Sequence, residues 1–336
     1  MRSKILVARA VFPDVVERLK DVFEVESNQE DHIFTAVELA AKIGEKEGIF
    51  ITGSERIDAA LIAAAPKLRA ICNMAVGFNN IDLDAATAAG VMVTNTPDVL
   101  NQTTADLGWA LLMAAARRIT ESEHWLRAGK WKRWRYDALL GADVHGSTLG
   151  IVGMGRIGQE IARRSTGFDM RVVYHNRSRL SPEQEVQANH ATYVDKETLL
   201  RTADHVVLVL PYSRQSHHTI GAPELAMMKS TATLINIARG GIVDDVALIN
   251  ALRSGTIAAA GLDVFENEPM LHPDFLTLSN VVLTPHIGSA TEPTRWAMAN
   301  CAADNLIAAL SGQHPPNLLN RFVSNSPTKY DQTAGS

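Results

Sequence analysis

The chain has little cysteine, no long apolar run and no excess of positive charge. Its two cysteines, Cys72 and Cys301, form neither a disulfide framework nor a metal-ligand spacing, so we expect both to be thiols of the core. No uninterrupted apolar stretch reaches the roughly 18 residues that a membrane span needs. The formal net charge of −5 argues against a nucleic-acid partner, because proteins that bind nucleic acid favour a basic face.

The first residues also lack the features of a targeting segment. The apolar run 5–8 is followed at once by charged residues and is too short for a signal peptide. We therefore expect a cytoplasmic protein with no membrane partner. The length of 336 residues is sufficient for two domains. The composition, 46% hydrophobic and 21% charged residues, is typical of a globular protein.

Short apolar runs alternate with helical patterns along the chain, as in parallel α/β layers. The first part predicts strands at 5–8, 23–26, 48–51, 68–72 and 91–94, with helices at 13–22, 35–43, 58–65 and 83–89. The second part, from Thr148, predicts strands near 149–152, 172–174, 206–210, 233–237, 258–262 and 281–284. The pattern indicates an α/β fold of two doubly wound parallel-sheet domains, Rossmann-like or flavodoxin-like.

Two further helices decide the domain boundaries. An apolar helix is predicted over 103–128, too long and too apolar for a surface crossover. The helix at 294–310 follows the last strand, so we expect it to pack on the first unit. This gives a discontinuous domain, 1–98 with 292–323, and a second domain, 99–291. The polar tail 324–336 is expected to be disordered.

A glycine-rich turn marks the second domain as the nucleotide-binding one. The apolar run 149–152 enters Gly153-Met154-Gly155-Arg156-Ile157-Gly158, and a helical pattern follows. Gly153 permits a tight turn, Gly155 lets the backbone approach a pyrophosphate, and Gly158 lets helix and strand pack closely. The helix N-terminus, with Arg156 and Ile157, offers free N–H groups and a positive dipole end.

Three charged residues lie just past predicted strand ends, where open α/β sheets bind ligands. They are Arg239, Glu268 and His286. Each alone is more often a solvated or structural residue, but together they supply what carbonyl reduction needs. The guanidinium can pair with a substrate carboxylate, the imidazole can donate a proton, and the carboxylate can orient the imidazole and favour its charged form.

These residues, and several motifs that occur in the same order along the chain, make the sequence resemble the D-isomer-specific 2-hydroxyacid dehydrogenases, particularly their glyoxylate/hydroxypyruvate reductase branch. The resemblance runs from about Ile49 to Asn320, and its motifs are 75–82, 94–98, the glycine turn, 236–240, 261–265 and 284–289. It implies catalytic roles for Arg239 as keto-acid ligand, His286 as acid/base and Glu268 as its partner. It also implies a cleft between the two domains that closes to exclude water.

The resemblance implies further ligand contacts. The backbone of Val76 and Gly77 would bind the substrate carboxylate, together with Arg239 and His286. Asp263 would lie at the carboxamide side of the nicotinamide. The other cofactor-binding residues implied are Thr104, Leu210, Pro211, Ala238, His286 and Gly288.

The strand near 172–174 suggests which cofactor is used. An NAD enzyme places an acid about 20 residues after the glycine turn, and none is present here. Asn176, Arg177, Ser178 and Arg179 instead offer an amide, a hydroxyl and two guanidinium groups. We therefore expect NADPH to be preferred over NADH, the alternative being that both arginines are solvated loop charges. No metal is expected, and His175, His217, His218 and His314 are expected to be surface residues without a ligand role.

The helix 103–128 and its following loop resemble the interlocking dimer arm of the family. Trp131 and Trp134 lie in that loop. Packing in a homodimer is the favoured interpretation, and the alternative places Trp134 at the neighbour's active site. The predicted function is reduction of small 2-keto acids, glyoxylate and hydroxypyruvate above all. A reductase of sugar acids such as 2-ketogluconate and, from another class, a dinucleotide-sensing dimeric scaffold remain as alternatives.

Overall fold

The computed structural model describes residues 2 to 320 and divides the chain into two compact units. Unit 1 comprises the described residues up to Leu100 and those from Thr291, and unit 2 is Asn101–Ala290. The sequence placed these divisions at 98/99 and 291/292. The predicted tail, 324–336, and residues 321–323 of the predicted first domain lie outside the described residues.

Unit 1 contains five described strands that pair in parallel. They are β1 (Lys4–Val7), β2 (Glu24–Ser27), β3 (Gly48–Ile51), β4 (Ala70–Asn73) and β5 (Met92–Thr94), in the order β2-β1-β3-β4-β5. The intervening helices are α1 (Pro13–Val22), α2 (Ala36–Ile43), α3 (Ala59–Ala63) and α4 (Leu83–Ala88). The strand order is that of a flavodoxin-like doubly wound sheet.

Side-chain caps fix where several of these helices begin. Thr35 and Glu38 form a reciprocal capping box at α2, and Asp58 and Asp82 each accept a backbone hydrogen bond at the start of α3 and α4. Because Asp58 is the N-cap, α3 begins one residue later than the helix predicted over 58–65, and it also ends earlier, at Ala63.

Unit 2 contains seven described strands, again all parallel. They are β6 (Thr148–Val152), β7 (Arg171–His175), β8 (Thr192–Tyr193), β9 (His205–Leu208), β10 (Thr233–Asn236), β11 (Ala259–Leu262) and β12 (Val281–Leu283), in the order β12-β11-β10-β9-β6-β7-β8. The helices are α5 (Asn101–Ala116), α6 (Ile119–Arg127), α7 (Arg156–Arg164), α8 (Pro182–Gln187), α9 (Lys196–Thr202), α10 (Ala222–Met227) and α11 (Asp245–Ser254), with short 3-10 turns at Ser165–Phe168 and Pro273–Thr277. The order is that of a dinucleotide-binding sheet with one added strand, and the predicted fold class is confirmed.

The single helix predicted over 103–128 is wrong. The chain leaves the helix at Arg118, whose φ of 52° is left-handed, so α5 and α6 are separate. The carbonyl of Ala116 accepts a hydrogen bond from the backbone N–H of Ala142 at 2.8 Å. A helix that continued past Ala116 would need this carbonyl as the acceptor of its own next hydrogen bond. A Cβ on Gly141 would lie 2.4 Å from that same oxygen. The returning chain therefore ends α5.

Helix α5 is covered by its own unit, although its apolar composition suggested a need for a partner chain. Leu111 and Leu112 are buried in a cluster with strand residues of the sheet. The indole N–H of Trp109 donates to the carbonyl of Ile161 on α7 at 3.0 Å. In contrast, α6 has no buried residue in the single chain. Apolar side chains of α6 and of the loop after it are left exposed.

The last described helix, α12 (Glu292–Leu310), packs on the sheet of unit 1, as predicted. A Cβ on Gly48 of β3 would lie 2.8 Å from methyl groups of both Leu306 and Leu310. The side chain of Asn305 is buried and donates to the carbonyl of Asn95 at 3.2 Å. Among residues 2–320, we find no helix with the length and apolarity that crossing a membrane would require.

Candidate active site

The candidate residues of unit 2 lie at one edge of its sheet. Because all seven described strands are parallel, the segments that follow them emerge on the same side. Of the predicted residues, Gly153–Gly158 follow β6, Asn176–Ser178 follow β7, and Leu210 and Pro211 follow β9. Ala238 and Arg239 follow β10, Asp263 and Glu268 follow β11, and His286 and Gly288 follow β12. The strand order reverses at β6, which is where doubly wound sheets open a crevice for a dinucleotide.

The glycine turn has the geometry that a pyrophosphate site requires. Gly153 has a φ of 101°, and a Cβ there would lie 2.6 Å from the carbonyl of Val209 and 2.8 Å from the amide nitrogen of Leu210. A Cβ on Gly158 would lie 2.5 Å from the carbonyl oxygen of Gly153. Both positions therefore need glycine for the fold itself.

Gly155 differs from its two neighbours, because a Cβ there would have no atom within 4 Å. It precedes Arg156 and Ile157, the first residues of α7, so the space above it faces the N–H groups of the helix N-terminus. The protein has no packing reason to omit a side chain at Gly155. A ligand that approaches this backbone closely would supply one, and the turn fits a dinucleotide phosphate.

Some of the polar groups in the segment after β7 already make hydrogen bonds within the protein, and others do not. Asn176 Oδ1 accepts from the backbone N–H of Met154 inside the glycine turn at 2.7 Å. Its Nδ2 atom, and the exposed side chains of Arg177 and Ser178, make no hydrogen bond within residues 2–320. The amide of Asn176 thus holds the turn with its oxygen and keeps its donor for other contacts.

Arg179 is not the second free guanidinium that the sequence suggested. Its Nε and Nη2 atoms pair with both carboxylate oxygens of Glu185 at 2.8 and 2.9 Å. Glu185 also accepts from the hydroxyl of Tyr174 at 2.7 Å. Burial, together with the Glu185 carboxylate, raises the pKa of Tyr174 to about 12. Arg179 therefore neutralises a structural carboxylate, and Arg177 is the only guanidinium of this segment still available.

His286 and Glu268 form a direct contact. The Nδ1 atom of His286 lies 2.7 Å from Oε2 of Glu268, while Glu268 Oε1 accepts from the backbone N–H of Phe265 at 2.9 Å. Burial alone would raise the pKa of Glu268, but these hydrogen bonds and the charges of His286 and Arg239 lower it overall. His286 has a φ of 54°, a strained conformation for a non-glycine residue that is frequent at functional sites.

Arg239 is half-buried after β10. Its Nη1 atom donates to the carbonyl of Ala238 at 2.8 Å, and the other guanidinium donors have no acceptor among the described residues. Burial lowers the pKa of Arg239, while the carboxylates of Glu268 and Asp263 act in the opposite direction. The group keeps its charge, so the structure presents a desolvated guanidinium with unused donors.

Asp263 positions the loop of His286, a role that the sequence did not reveal. Its Oδ1 atom accepts from the hydroxyl of Thr284 at 2.7 Å and from the backbone N–H of Ile287 at 2.8 Å. Its Oδ2 atom accepts from the backbone N–H of Gly288 at 2.8 Å. Burial raises the pKa of Asp263 against these bonds. The contact at the nicotinamide that the resemblance implies remains a prediction.

Four other residues were predicted to bind the cofactor, and one of them, Thr104, lies beside this loop. Thr104 on α5 is buried, and a Cβ on Gly288 would lie 3.4 Å from its Cγ2 atom. The backbone N–H of Ala238 donates to the side chain of Asn236 at 3.1 Å. Leu210 is half-buried and Pro211 is exposed. The cofactor contacts predicted for these residues remain predictions.

In unit 1, Val76 and Gly77 lie in the loop after β4, and two asparagines hold it. Asn95 Nδ2 donates to the carbonyl of Val76 at 2.8 Å, and Asn73 Nδ2 donates to the carbonyl of Gly77 at 2.9 Å. Asn73 is fully buried. Because N–H and C=O point in opposite directions across a peptide, the N–H groups of Gly77 and Phe78 are turned away from these asparagines. Neither N–H donates to an acceptor within the described chain.

The expectation that His175 and His218 lie at the surface needs correction, because both are half-buried. His217 is exposed as expected, but its ring stacks on that of His218 with centroids 3.8 Å apart. His218 is half-buried, and its Nε2 atom lies 2.6 Å from Oε1 of Glu266. Sequence spacing could not reveal this contact, because Glu266 lies on a separate loop. Cys72 is fully buried as expected, whereas Cys301 is only half-buried.

Comparison with known proteins now decides the family. The model of the D-isomer specific 2-hydroxyacid dehydrogenase NAD binding domain matches residues 109–288. The chain belongs to this family. It is 47% identical over 329 residues to the glyoxylate reductase of Thermococcus onnurineus, covering 97% of this chain and 98% of that protein. The predicted family and enzyme class are confirmed for this dehydrogenase, whose cofactor is a nicotinamide dinucleotide.

Solved structures agree with this placement. A glyoxylate reductase from Paecilomyes thermophila is 33% identical with a TM-score of 0.86, covering 95% of this dehydrogenase and 98% of that chain. An NADPH-dependent glyoxylate/hydroxypyruvate reductase from Sinorhizobium meliloti, in complex with NADP and malonate, is 35% identical with a TM-score of 0.85, covering 95% and 97% of the two chains.

Proposed function

We propose that this dehydrogenase reduces small 2-keto acids, glyoxylate and hydroxypyruvate first among them, to D-2-hydroxy acids. The observation that carries the proposal is the 2.7 Å contact between His286 and Glu268 at the sheet edge that also holds Arg239. An oriented imidazole and an available guanidinium beside a dinucleotide turn suit the reduction of a carbonyl next to a carboxylate. The relatives named as glyoxylate reductases support this substrate class.

In this proposal, bound reduced nicotinamide supplies the hydride for the carbonyl carbon. His286 donates a proton from Nε2 to the carbonyl oxygen, because Nδ1 is held by Glu268. Glu268 fixes the ring and stabilises the imidazolium form before the transfer. Arg239 pairs with the substrate carboxylate and orients the keto group. In the reverse direction His286 accepts the proton of a hydroxy acid.

We infer that the loop at Val76 and Gly77 binds the substrate carboxylate through its backbone. The support is local to unit 1. Asn73 and Asn95 bind the two carbonyls of the loop and leave the N–H groups of Gly77 and Phe78 without acceptors. Successive N–H groups free of other partners are a common anion-binding arrangement.

We propose that NADPH is preferred over NADH. A 2′-phosphate is a dianion, and Arg177 and the hydroxyl of Ser178 are exposed beside the glycine turn. Asn176 stands where an acid would repel the phosphate, and its Nδ2 donor is available because its oxygen holds Met154. The structural relative that is described as NADPH-dependent supports the same preference.

We also propose a two-fold homodimer built on the segment 119–140. In the single chain several of its apolar side chains are exposed, 58% for Trp131, 77% for Trp134 and 65% for Leu140. Beside this segment lies a groove of about 700 Å³ at the end of α5 and the starts of β10, β11 and β12. A second copy of the segment is the occupant that we propose for this groove. Light scattering that shows a monomer at micromolar concentration would contradict it.

The substrate assignment is tested with a panel of carbonyl compounds, following the loss of NADPH absorbance. The panel contains glyoxylate, hydroxypyruvate, pyruvate, 2-ketogluconate and a simple aldehyde without a carboxylate. We expect the highest kcat/KM for glyoxylate or hydroxypyruvate and little activity on the aldehyde. A clear preference for 2-ketogluconate would reassign the substrate to a sugar acid. Absence of turnover on every keto acid would overturn the proposal.

A further inference from the structure

Two adjacent histidines present their rings on the same side of the chain after β9. The left-handed backbone of His218, with a φ of 49°, brings its ring against that of His217 at a centroid distance of 3.8 Å. The backbone N–H of His218 donates to the carbonyl of Gly241 at 2.7 Å, which anchors the pair to the loop after β10. Neither ring belongs to the proposed catalytic machinery.

A carboxylate and a phenol complete the cluster. Glu266 Oε1 lies 2.6 Å from Nε2 of His218, and the hydroxyl of Tyr212 lies 3.3 Å from Nδ1 of His217. The nearest ligand atoms of His217, His218 and Glu266 all lie within 4.8 Å of one another. A Cβ on Gly241 would lie 3.3 Å from Nδ1 of His217 and 3.7 Å from Oε1 of Glu266. Gly241 therefore keeps the space between the two groups open.

Two further carboxylates, those of Asp244 and Asp245, lie next to residues of the cluster. Asp244 Oδ2 lies 3.9 Å from Nδ1 of His218, on the far side of the ring from Glu266. Asp245 Oδ2 accepts from the backbone N–H of Glu266 at 3.1 Å. Metal-binding histidines usually have a carboxylate or carbonyl near their second nitrogen, and metal-binding carboxylates are themselves held by hydrogen bonds. Asp244 is placed to support His218 in this way, and Asp245 holds the backbone of Glu266.

We propose that His217, His218 and Glu266 bind a divalent transition-metal ion of the Zn²⁺ type, with Tyr212 beside the open position. Two imidazoles and one carboxylate are a set that zinc accepts, with water as a further ligand. The same set is a poor match for Mg²⁺ or Ca²⁺, which favour oxygen ligands. Binding through Nε2 requires the tautomer of His218 that carries its proton on Nδ1, the nitrogen that faces Asp244 at 3.9 Å, and the ion then takes the place of the hydrogen bond between His218 and Glu266.

The position of the site gives the ion a structural consequence. Glu266 lies on the loop that carries Glu268, whereas both histidines belong to the segment after β9. A bound ion would join these two segments by coordinate bonds where one hydrogen bond now joins them. We therefore expect the ion to raise the unfolding temperature of the dehydrogenase.

The experiment is a titration of the metal-free protein with ZnCl₂, by calorimetry and by equilibrium dialysis, with MgCl₂ in parallel. We expect one Zn²⁺ per chain and no Mg²⁺. His217→Ala removes an exposed ligand and should weaken zinc binding at least about tenfold. Asp244→Asn keeps a residue that caps α11 well and should weaken it about tenfold through the lost support of His218. In each variant the rise in unfolding temperature with ZnCl₂ should shrink in parallel.

His314→Ala is the matched control, because His314 is exposed in unit 1 and outside the cluster. Its zinc affinity should equal that of the parent. Absence of saturable binding by the parent would overturn the proposal. Zinc binding that is equally strong in His217→Ala and the parent would also overturn it, since the ion would then lie elsewhere.

Discussion

Glu268 contacts Nδ1 of His286 through its Oε2 atom at 2.7 Å, which leaves Nε2 as the ring nitrogen without a partner in the described chain. In the proposed mechanism the acid/base proton would therefore pass through Nε2. Nδ1 stays protonated toward Glu268, because a carboxylate only accepts. This relationship is the basis of the roles proposed for His286 and Glu268.

Replacing His286 by Ala should lower kcat about 10²–10⁴-fold, because the general acid is lost. NADPH binding, measured by quenching of protein fluorescence, should be nearly unchanged. His314→Ala, which alters an exposed histidine of unit 1, should retain the parent rate. Normal turnover by His286→Ala would remove His286 from the mechanism.

Glu268→Gln should change the pH profile of reduction. The lowered pKa of Glu268 keeps its carboxylate ionised through neutral pH, and the charge is lost only below the ordinary range of a glutamate. Gln cannot supply that charge beside the ring, so the alkaline limb of the profile should move to lower pH. The measurement is kcat/KM against pH. Superimposable profiles of parent and variant would show that the two groups are not coupled.

Arg239→Lys should behave as a damaging substitution although it keeps the charge. Lysine lacks the planar fork that pairs with both oxygens of a carboxylate. Charge-assisted hydrogen bonds contribute roughly 1.5–3 kcal/mol, so kcat/KM for glyoxylate should fall about 10–100-fold. Slow reduction of a simple aldehyde should be unaffected. An equal loss on both substrates would assign Arg239 a purely structural role.

The cofactor preference can be tested with neighbouring arginines. Arg177→Ala should weaken NADPH binding about 10–100-fold with little effect on NADH. Arg179→Ala is the matched control. Because Arg179 is paired with Glu185, its loss should lower thermal stability and leave the NADPH/NADH ratio as in the parent. Asn176→Asp keeps an acceptor for Met154 and should shift preference toward NADH. A parent that already favours NADH would contradict the proposal.

Asn95→Ala should raise the KM for the keto acid more than it lowers kcat. The variant frees the carbonyl of Val76, which Asn95 holds at 2.8 Å, and so loosens the N–H groups proposed to bind the carboxylate. The dissociation constant of NADPH should not change. If KM is unaltered while stability falls, Asn95 serves the fold alone.

Periodicity and glycine spacing were sufficient to predict the elements whose signals are local. Strand β3 and helix α1 lie at their predicted residues, and Gly153 and Gly158 have the steric constraints that the fingerprint implies. These features depend on a few neighbouring residues. The same reasoning placed Arg239, Glu268 and His286 at one sheet edge, because parallel strands determine where their ends emerge.

Other features depend on contacts between distant segments, which a single sequence does not encode visibly. The break at Arg118 results from a chain segment that returns more than twenty residues later to bind the carbonyl of Ala116. The pairing of Arg179 with Glu185 and the support of His286 by Asp263 have the same origin. Strand β8 was missed because it has only two residues.

The return of α12 to the sheet of unit 1 has a consequence for how the protein is made on the ribosome. A methyl group on Gly48 in β3 would clash with Leu306 and Leu310, so unit 1 cannot cover that face of its sheet until α12 has been synthesised. Unit 2 is one unbroken stretch and is complete before α12 emerges. Although N-terminal domains usually fold first during translation, here the nucleotide-binding unit can reach its native state while the earlier-synthesised unit still waits for its last helix.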